Sequence, residues 1–493
     1  MDTLPRGVPG VKEEKPPDSL WRDPSSVAGN PEYAFDGSKI FLGQLNGHLI
    51  GIKDDRHVVL CAGSRSGKGV SIIVPNLIEY QGSVLAIDPK AELASITARR
   101  RFEGLGQRVF VLDPFGKADP AVSEYLSAFN PLTMLYTGSD TIIEDAGLIA
   151  DALIVPSGGD THWDDSARNF LECVILHIAT STTYKDEDRT LVTVRDLISG
   201  RIQQQRQQQS LEFLKKEIQE NAKDCNENYE DLAAALEAGA SDFFDKPDNE
   251  RESVLSTLRR HTKFLDYKAM RKVLSGHDFD LSELKTAPNG TTIYLCLPAG
   301  RMSTCNRWFR LFVNLALEAL EREEKKPDIP VLLCLDEFPV LGHMRQIEVA
   351  AGQIAGFGVK LMTVIQDLSQ LKSIYKERWE TFMGNAGVLI FFGNNDVTTL
   401  EFIQKRLGKT SLIVSRKSDT AVKDAGHNRT GLSWSLEVHD LITGEEASRF
   451  FARDGIYDRQ LVIEAGKAPL VVERVEYYAD SFFEGKYQET GND

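Results

Sequence analysis

His57-Val-Val-Leu-Cys-Ala62-Gly63-Ser64-Arg65-Ser66-Gly67-Lys68-Gly69-Val70 decides the fold. An apolar run feeds a glycine-containing loop, and a helix-like segment follows to Glu79. Strand, glycine loop and helix in that order form a phosphate cradle: successive backbone N–H groups turn into one concavity and the helix adds its positive end. The residues assigned to nucleotide binding are Ala62, Gly63, Ser64, Arg65, Ser66, Gly67, Lys68, Gly69 and Val70, with Lys68 reaching the terminal phosphates. Against the usual pattern G-x-x-x-x-G-K-[ST], Ala62 stands in place of the first glycine and Gly69 in place of the Mg²⁺-binding hydroxyl. The metal then falls to another residue, to water, or to Ser66 or Ser71.

Downstream, Pro330-Val-Leu-Leu-Cys-Leu-Asp336-Glu337-Phe338 reads as a buried parallel strand ending in two acids. In a nucleotide-hydrolysing protein the first acid, Asp336, holds Mg²⁺ and its waters, and the second, Glu337, polarises the attacking water. Gln366 follows a further apolar run, where an amide can contact the γ-phosphate or its water. Lys68, Asp336, Glu337 and Gln366 form the expected catalytic set, with ATP and Mg²⁺ as substrate and cofactor.

The chain of 493 residues is too long for one core, so two or three domains are expected. With 42% apolar and 26% charged residues it has an ordinary globular composition. No apolar run approaches the roughly 20 residues that cross a bilayer, and with a polar N-terminal stretch no signal peptide is expected. Six scattered cysteines without a C-x-x-C pair point to a reducing compartment and away from zinc. The net charge of −16 argues against a surface coated for nucleic-acid binding but leaves room for a local basic channel.

Strand-like runs at Val58–Cys61, Gly82–Asp88 and Val109–Asp113 alternate with helical spacers and predict a parallel α/β sheet. The pattern turns helical from about Thr141 to Met270. It resumes with strands at Thr291–Pro298, Val331–Asp336, Val359–Ile365 and Gly387–Phe392, so an inserted block splits the sheet. Runs at Gln460–Glu464 and Pro469–Arg474 are expected to add to an edge of the same sheet. The domain reading is 1–35 a flexible arm, 36–140 and 276–480 the two parts of the nucleotide-binding domain, 141–275 an all-α insertion, and 481–493 a polar tail. Within the insertion, Gln203–Gln209 is glutamine-rich and Leu211–Glu252 carries 13 acidic against 5 basic residues.

The loop Ser64–Gly69 and the phrases Ala86-Ile-Asp88-Pro89-Lys90-Ala-Glu92, Phe129-Asn130-Pro131-Leu132, His162-Trp163 ahead of Ala167, Ser253-Val-Leu-Ser-Thr257, Leu335-Asp-Glu-Phe338 and Gln366-Asp-Leu-Ser-Gln-Leu371 resemble, in order, those of type IV secretion coupling proteins of the TraG kind. The resemblance spans Arg56 to Tyr478, and a glycine at position 69 is similar to many members. It implies a RecA-like P-loop ATPase domain with a parallel-rich sheet, interrupted by an all-α domain and assembling as a hexameric ring. It further implies ATP-driven delivery of a relaxase–DNA complex or protein effectors to a type IV secretion channel at the cytoplasmic face of the inner membrane. Arg56 corresponds to a nucleotide-proximal arginine of relatives; Asp88 ends the strand next after the loop, where an acid supports metal or water or caps the following helix.

Two departures qualify the resemblance. The stretch Gln353-Ile-Ala-Gly-Phe-Gly lacks the arginine that acts across a subunit boundary in relatives, leaving Arg345 and Arg378 as substitutes. Residues 1–35 offer no transmembrane helix, so the chain is expected to be cytoplasmic and monomeric in isolation, depending on a membrane-anchoring partner, unless helices have been removed from it. Two other readings are a double-stranded DNA translocase of the FtsK/HerA kind and a nucleotide-gated cargo adaptor that does not hydrolyse ATP. Retention of both Asp336 and Glu337 argues against the adaptor.

Overall fold

The computed structural model describes residues 20–155, 162–200, 211–419, 430–455 and 458–489. The glutamine tract 203–209 and the first 19 residues of the expected arm lie outside them. Thirteen strands are assigned in chain order: β1 (Ile40–Leu45), β2 (His48–Ile52), β3 (His57–Ala62), β4 (Val84–Asp88), β5 (Arg108–Leu112), β6 (Thr291–Cys296), β7 (Val331–Leu335), β8 (Val359–Ile365), β9 (Ala386–Phe392), β10 (Lys409–Asp419), β11 (Thr430–Asp440), β12 (Arg459–Glu464) and β13 (Leu470–Glu473). The chain falls into two compact units, one comprising residues 1–75 and 364–480 and the other 76–363 and 481–493.

In the first unit β3 and β9 pair in parallel, and β9, β12, β13, β1 and β2 continue antiparallel. β3 and β9 are buried along their whole length, which explains why they read as unbroken apolar runs rather than alternating ones. The two C-terminal strands therefore do not end this sheet as expected. They lie inside it, and the hairpin β1–β2 forms the rim. The described part of the expected flexible arm is held in place: Val27 is fully buried, Arg22 pairs with Glu464 at 2.8 Å and Arg22 N–H donates to the Pro469 carbonyl. The buried apolar residue and the paired cation tie this stretch to the rest of the first unit.

The second unit holds an all-parallel run in which β4 pairs with β6 and β7, β6 with β5, and β7 with β8. Only the last two residues of β8 belong to the first unit. Since β6 fits between β4 and β5, everything between β5 and β6 in sequence is an excursion from the sheet. From 142 to 273 the described part of that excursion contains helices, short helical turns and loops but no strand. Its core includes Phe170 stacked on Phe243 with ring centroids 3.6 Å apart. Arg322, on the helix Ala299–Arg322, ties the block to the sheet layer through Asp145 at 2.8 Å. Arg101, fully buried, fixes the chain leading into β4 by donating to the carbonyls of Leu77, Tyr80 and Gly82.

Candidate functional site

The loop after β3 has its own internal frame. Ala62 is the last, fully buried residue of β3. Gly63 donates to the Phe392 carbonyl at 3.2 Å, and a Cβ at Gly63 would sit 2.0 Å from the Gly393 carbonyl oxygen, so only glycine allows this approach. Ser66 folds back on Gly63, donating from both N (3.2 Å) and Oγ (2.6 Å) to its carbonyl. Arg65 and Gly67 both have left-handed φ, 54° and 88°. Left-handed residues alternating with right-handed ones turn consecutive N–H groups toward one side, the arrangement that binds anions. Ser64 and Arg65 are exposed and Lys68 is half-buried. A π-helical turn, Gly69–Ile73, follows directly and runs into the helix Val74–Glu79, so the loop opens onto a helix start.

Of the hydroxyls considered for the metal, Ser66 Oγ donates to Gly63 and Ser71 Oγ donates to the Gly67 carbonyl at 2.9 Å. Each retains lone pairs for a cation. At Gly69 a Cβ would meet nothing within 4 Å. Val70 accepts from Tyr477 N–H at 3.4 Å. Arg56 does not belong to this cluster: it precedes the opposite end of β3, about 20 Å of extended chain from the loop, and its guanidinium is held by Asp54 at 2.6 and 3.0 Å. Arg56 is thus set apart from the loop of its own chain.

Gln366 follows β8, half-buried, and its carbonyl accepts from Asn394 Nδ2 at 3.2 Å. Asp367 caps the next helix, Leu368–Tyr375, through Gln370 N–H. Arg378 lies in the turn Lys376–Arg378 after that helix.

In the second unit, Ile87 pairs with Leu335, which puts Asp88 and Asp336 at the C-terminal ends of neighbouring parallel strands. Asp336 Oδ1 accepts from Glu337 N–H at 3.0 Å, and Glu337 itself has a left-handed φ of 53°. Asp88 is buried, and burial pushes its carboxyl up to about 7, against the N–H groups of Ala94 and Leu93 and with the charge of Asp336 adding to the rise. Its Oδ2 accepts from Ala94 at 2.8 Å in the first turn of Glu92–Arg99, so the helix-holding role is formed. Two neighbouring acids, one buried, suit a divalent cation. Among the described residues no three acidic, His or Cys side chains cluster for a metal, so these two would be completed by water and phosphate oxygens, as Mg²⁺ prefers. Arg345 starts the helix Arg345–Gln353 in the same unit.

Asn394 and Arg474 were missed by sequence reasoning. Asn394 sits in Gly-Asn-Asn-Asp directly after the apolar run of β9, a strand-end polar cluster that could have been noticed. Arg474 has no comparable signal, being one arginine after a short strand 406 positions from Lys68 in the chain.

The type IV secretory system conjugative DNA transfer family matches residues 15–491. The conjugal transfer protein TraG of Escherichia coli is 25% identical over 380 residues, covering 74% of this chain and 57% of its own length. The VirD4 protein of Rhizobium radiobacter is 26% identical over 435 residues, covering 86% of this chain and 57% of its own. The chain thus spans less than two thirds of the length of these relatives. Solved structures of the bacterial conjugative coupling protein TrwB share the fold at 12–13% identity: the unbound form has a TM-score of 0.63 and the complex with ADP and Mg²⁺ 0.61, each over 92% of this chain. A match over nearly all its residues makes this chain a member of the type IV secretory system conjugative DNA transfer family.

Proposed function

We propose that this protein is an ATP-hydrolysing coupling protein that recruits a relaxase–DNA complex or protein effectors and drives them toward a type IV secretion channel. The observation that carries the reading is the loop Ala62–Val70, whose left-handed Arg65 and Gly67 and glycine-only contact at Gly63 build an anion cradle ahead of a helix. TrwB, which shares the fold, has been solved with ADP and Mg²⁺.

On this reading the loop N–H groups and Lys68 take the phosphates. Asp336, with Asp88 beside it, would hold Mg²⁺, which when bound supplies charge neutralisation and ordered water. Glu337 accepts the proton of the attacking water at its carboxylate, and the Gln366 amide orients that water. The all-α block, 141–275, is proposed as the cargo-facing domain and its acidic stretch as a surface for basic partners. Hexamer formation, a membrane-anchoring partner and a place at the cytoplasmic face of the inner membrane belong to the same proposal. Among the described residues no helix is long and apolar enough to cross a membrane.

Steady-state ATP hydrolysis, measured alone and with single-stranded DNA, duplex DNA or basic protein, tests the reading in parent and Lys68→Ala. Turnover that requires Lys68 and rises with single-stranded DNA or protein supports it. Stimulation by duplex alone would favour a double-stranded DNA translocase, and nucleotide binding with no turnover under any condition would make the chain a nucleotide-gated adaptor.

A further inference from the structure

The outer side of the phosphate loop is closed by one side chain from the C-terminal end of the same unit. Arg474 Nη1 donates to the Ser66 carbonyl at 2.6 Å, and its guanidinium lies 4.9 Å from the Phe392 ring centroid. Nη2 donates to the Arg453 carbonyl at 3.1 Å and to Asp458 at 3.0 Å. The side chain is only 6% exposed. Arg453, Asp458 and Arg474 border a cavity of about 220 Å³ shared with Ser66, Gly67 and Ser71. The backbone following Arg474 is also attached to the loop, since Tyr477 N–H donates to Val70.

The acceptor is what makes this contact informative. In a trans peptide the carbonyl and the next N–H point in opposite directions. With the Ser66 carbonyl turned toward Arg474, the Gly67 N–H points away from it, to the loop's inner side. Ser66 lies between two residues of left-handed φ, Arg65 and Gly67. A cation on the carbonyl oxygen also polarises that peptide and makes its N–H a stronger donor.

We infer that Arg474 is a positioning residue for nucleotide binding: it locks and polarises the Ser66–Gly67 peptide so that its N–H faces the phosphates. Arg474 acts only through that peptide, and the inference rests on reading the loop as a phosphate site. It makes the segment after β13 part of the nucleotide-binding machinery rather than a sheet rim. Phe392 and Asp458 both contact the guanidinium, and its two Nη atoms serve different acceptors, so the effect requires the fork of arginine as well as its charge.

The test is calorimetric titration of the full chain with ADP, using parent, Lys68→Ala, Arg474→Met and Arg474→Lys, together with kcat and KM for ATP. Methionine keeps an apolar stem over Phe392 and removes the donors. It should weaken ADP binding and raise KM by about tenfold, the scale of one charge-assisted hydrogen bond, with kcat within about threefold of the parent. Lysine should fall between. A folded Arg474→Met protein that binds ADP within about twofold of the parent overturns the inference while Lys68→Ala still loses binding. If Lys68→Ala binds ADP normally, the reading of the loop fails first. Should Arg474→Met not fold, Arg474→Lys decides: weaker ADP binding at unchanged kcat supports the assignment, and parental affinity limits Arg474 to the fold.

Discussion

Asn394 Nδ2 donates to the Gln366 carbonyl at 3.2 Å and to Cys61 Sγ at 3.4 Å, joining the segment that follows β9 to the residue after β8 and to the end of β3. Asn394 is 5% exposed, and its Oδ1 has no hydrogen-bond partner among the described residues. A buried amide with half its capacity unused is costly unless its other half fixes something. Here it fixes the backbone from which Gln366 projects.

Replacing Asn394 with Leu leaves the Gln366 carbonyl without that donor and should destabilise the first unit by about 1–3 kcal/mol. Turnover should fall while ADP affinity holds, since the loop residues keep their own bonds. Thermal unfolding and a kcat comparison check this. An Asn394→Leu protein with parental kcat would show that Gln366 needs no anchoring.

The two loop glycines at 63 and 69 serve different purposes. Gly63→Ala drives a methyl onto the Gly393 carbonyl, a main-chain atom that cannot rotate away, so the loop must shift and both stability and ADP affinity should drop. Gly69→Ser meets open space. It should fold like the parent and, by placing a hydroxyl after Lys68, increase the gain in ADP affinity on adding Mg²⁺. Titrations with Mg²⁺ and with chelator measure that gain. Equal gains in parent and Gly69→Ser would mean that the metal is not held from this position.

Much of this architecture could be read from the chain because its central strands are buried on both faces. Val58–Cys61, Val331–Leu335 and Val359–Ile365 carry no polar residue that would blur them apart from Lys360 and Thr363, and Gly63 through Lys68 announce the loop. The order of strands in the first unit was not legible. β12 and β13 are antiparallel additions whose neighbours are chosen by tertiary pairing, and a local pattern cannot say which side of them stays open. Arg56 rests on correspondence with relatives alone, since it precedes β3 at the end away from the loop and its guanidinium is held by Asp54. Arg474 was invisible for the opposite reason, because its partner is a backbone carbonyl and leaves no mark in residue type.

Glu337 combines an acid with strained backbone. A left-handed φ costs a residue with a Cβ on the order of 1–2 kcal/mol, and such strain persists where the surroundings enforce it, commonly at functional sites. Glu337→Gln should retain ADP and ATP binding and hydrolyse at least about 10²-fold more slowly, the scale for a positioned base. Glu337→Gly should lose hydrolysis equally without losing thermal stability, because glycine occupies this region freely. A Glu337→Gly protein that melts well below the parent would assign the residue to the fold.

His177 provides a pH test of the helical block. It sits in the helix His162–Thr180, fully buried, with its ring edge-on to Tyr184 and neither nitrogen hydrogen-bonded among the described residues. Burial alone pushes its imidazolium down to about 4 from 6.5. Between those two values the unfolded chain carries the proton and the folded one does not, so stability rises with pH. The contribution is intact above pH 6.5 and is lost as pH falls toward 4, by on the order of 3 kcal/mol across the window and about 2 by pH 5. His177→Phe keeps an aromatic ring against Tyr184, removes the proton site and buries no unpaired nitrogen. Urea midpoints for parent and His177→Phe should therefore separate progressively from pH 7.5 to pH 5, with the variant the more acid-resistant. Parallel pH profiles for the two proteins would mean that His177 gains a partner or solvent before the block unfolds.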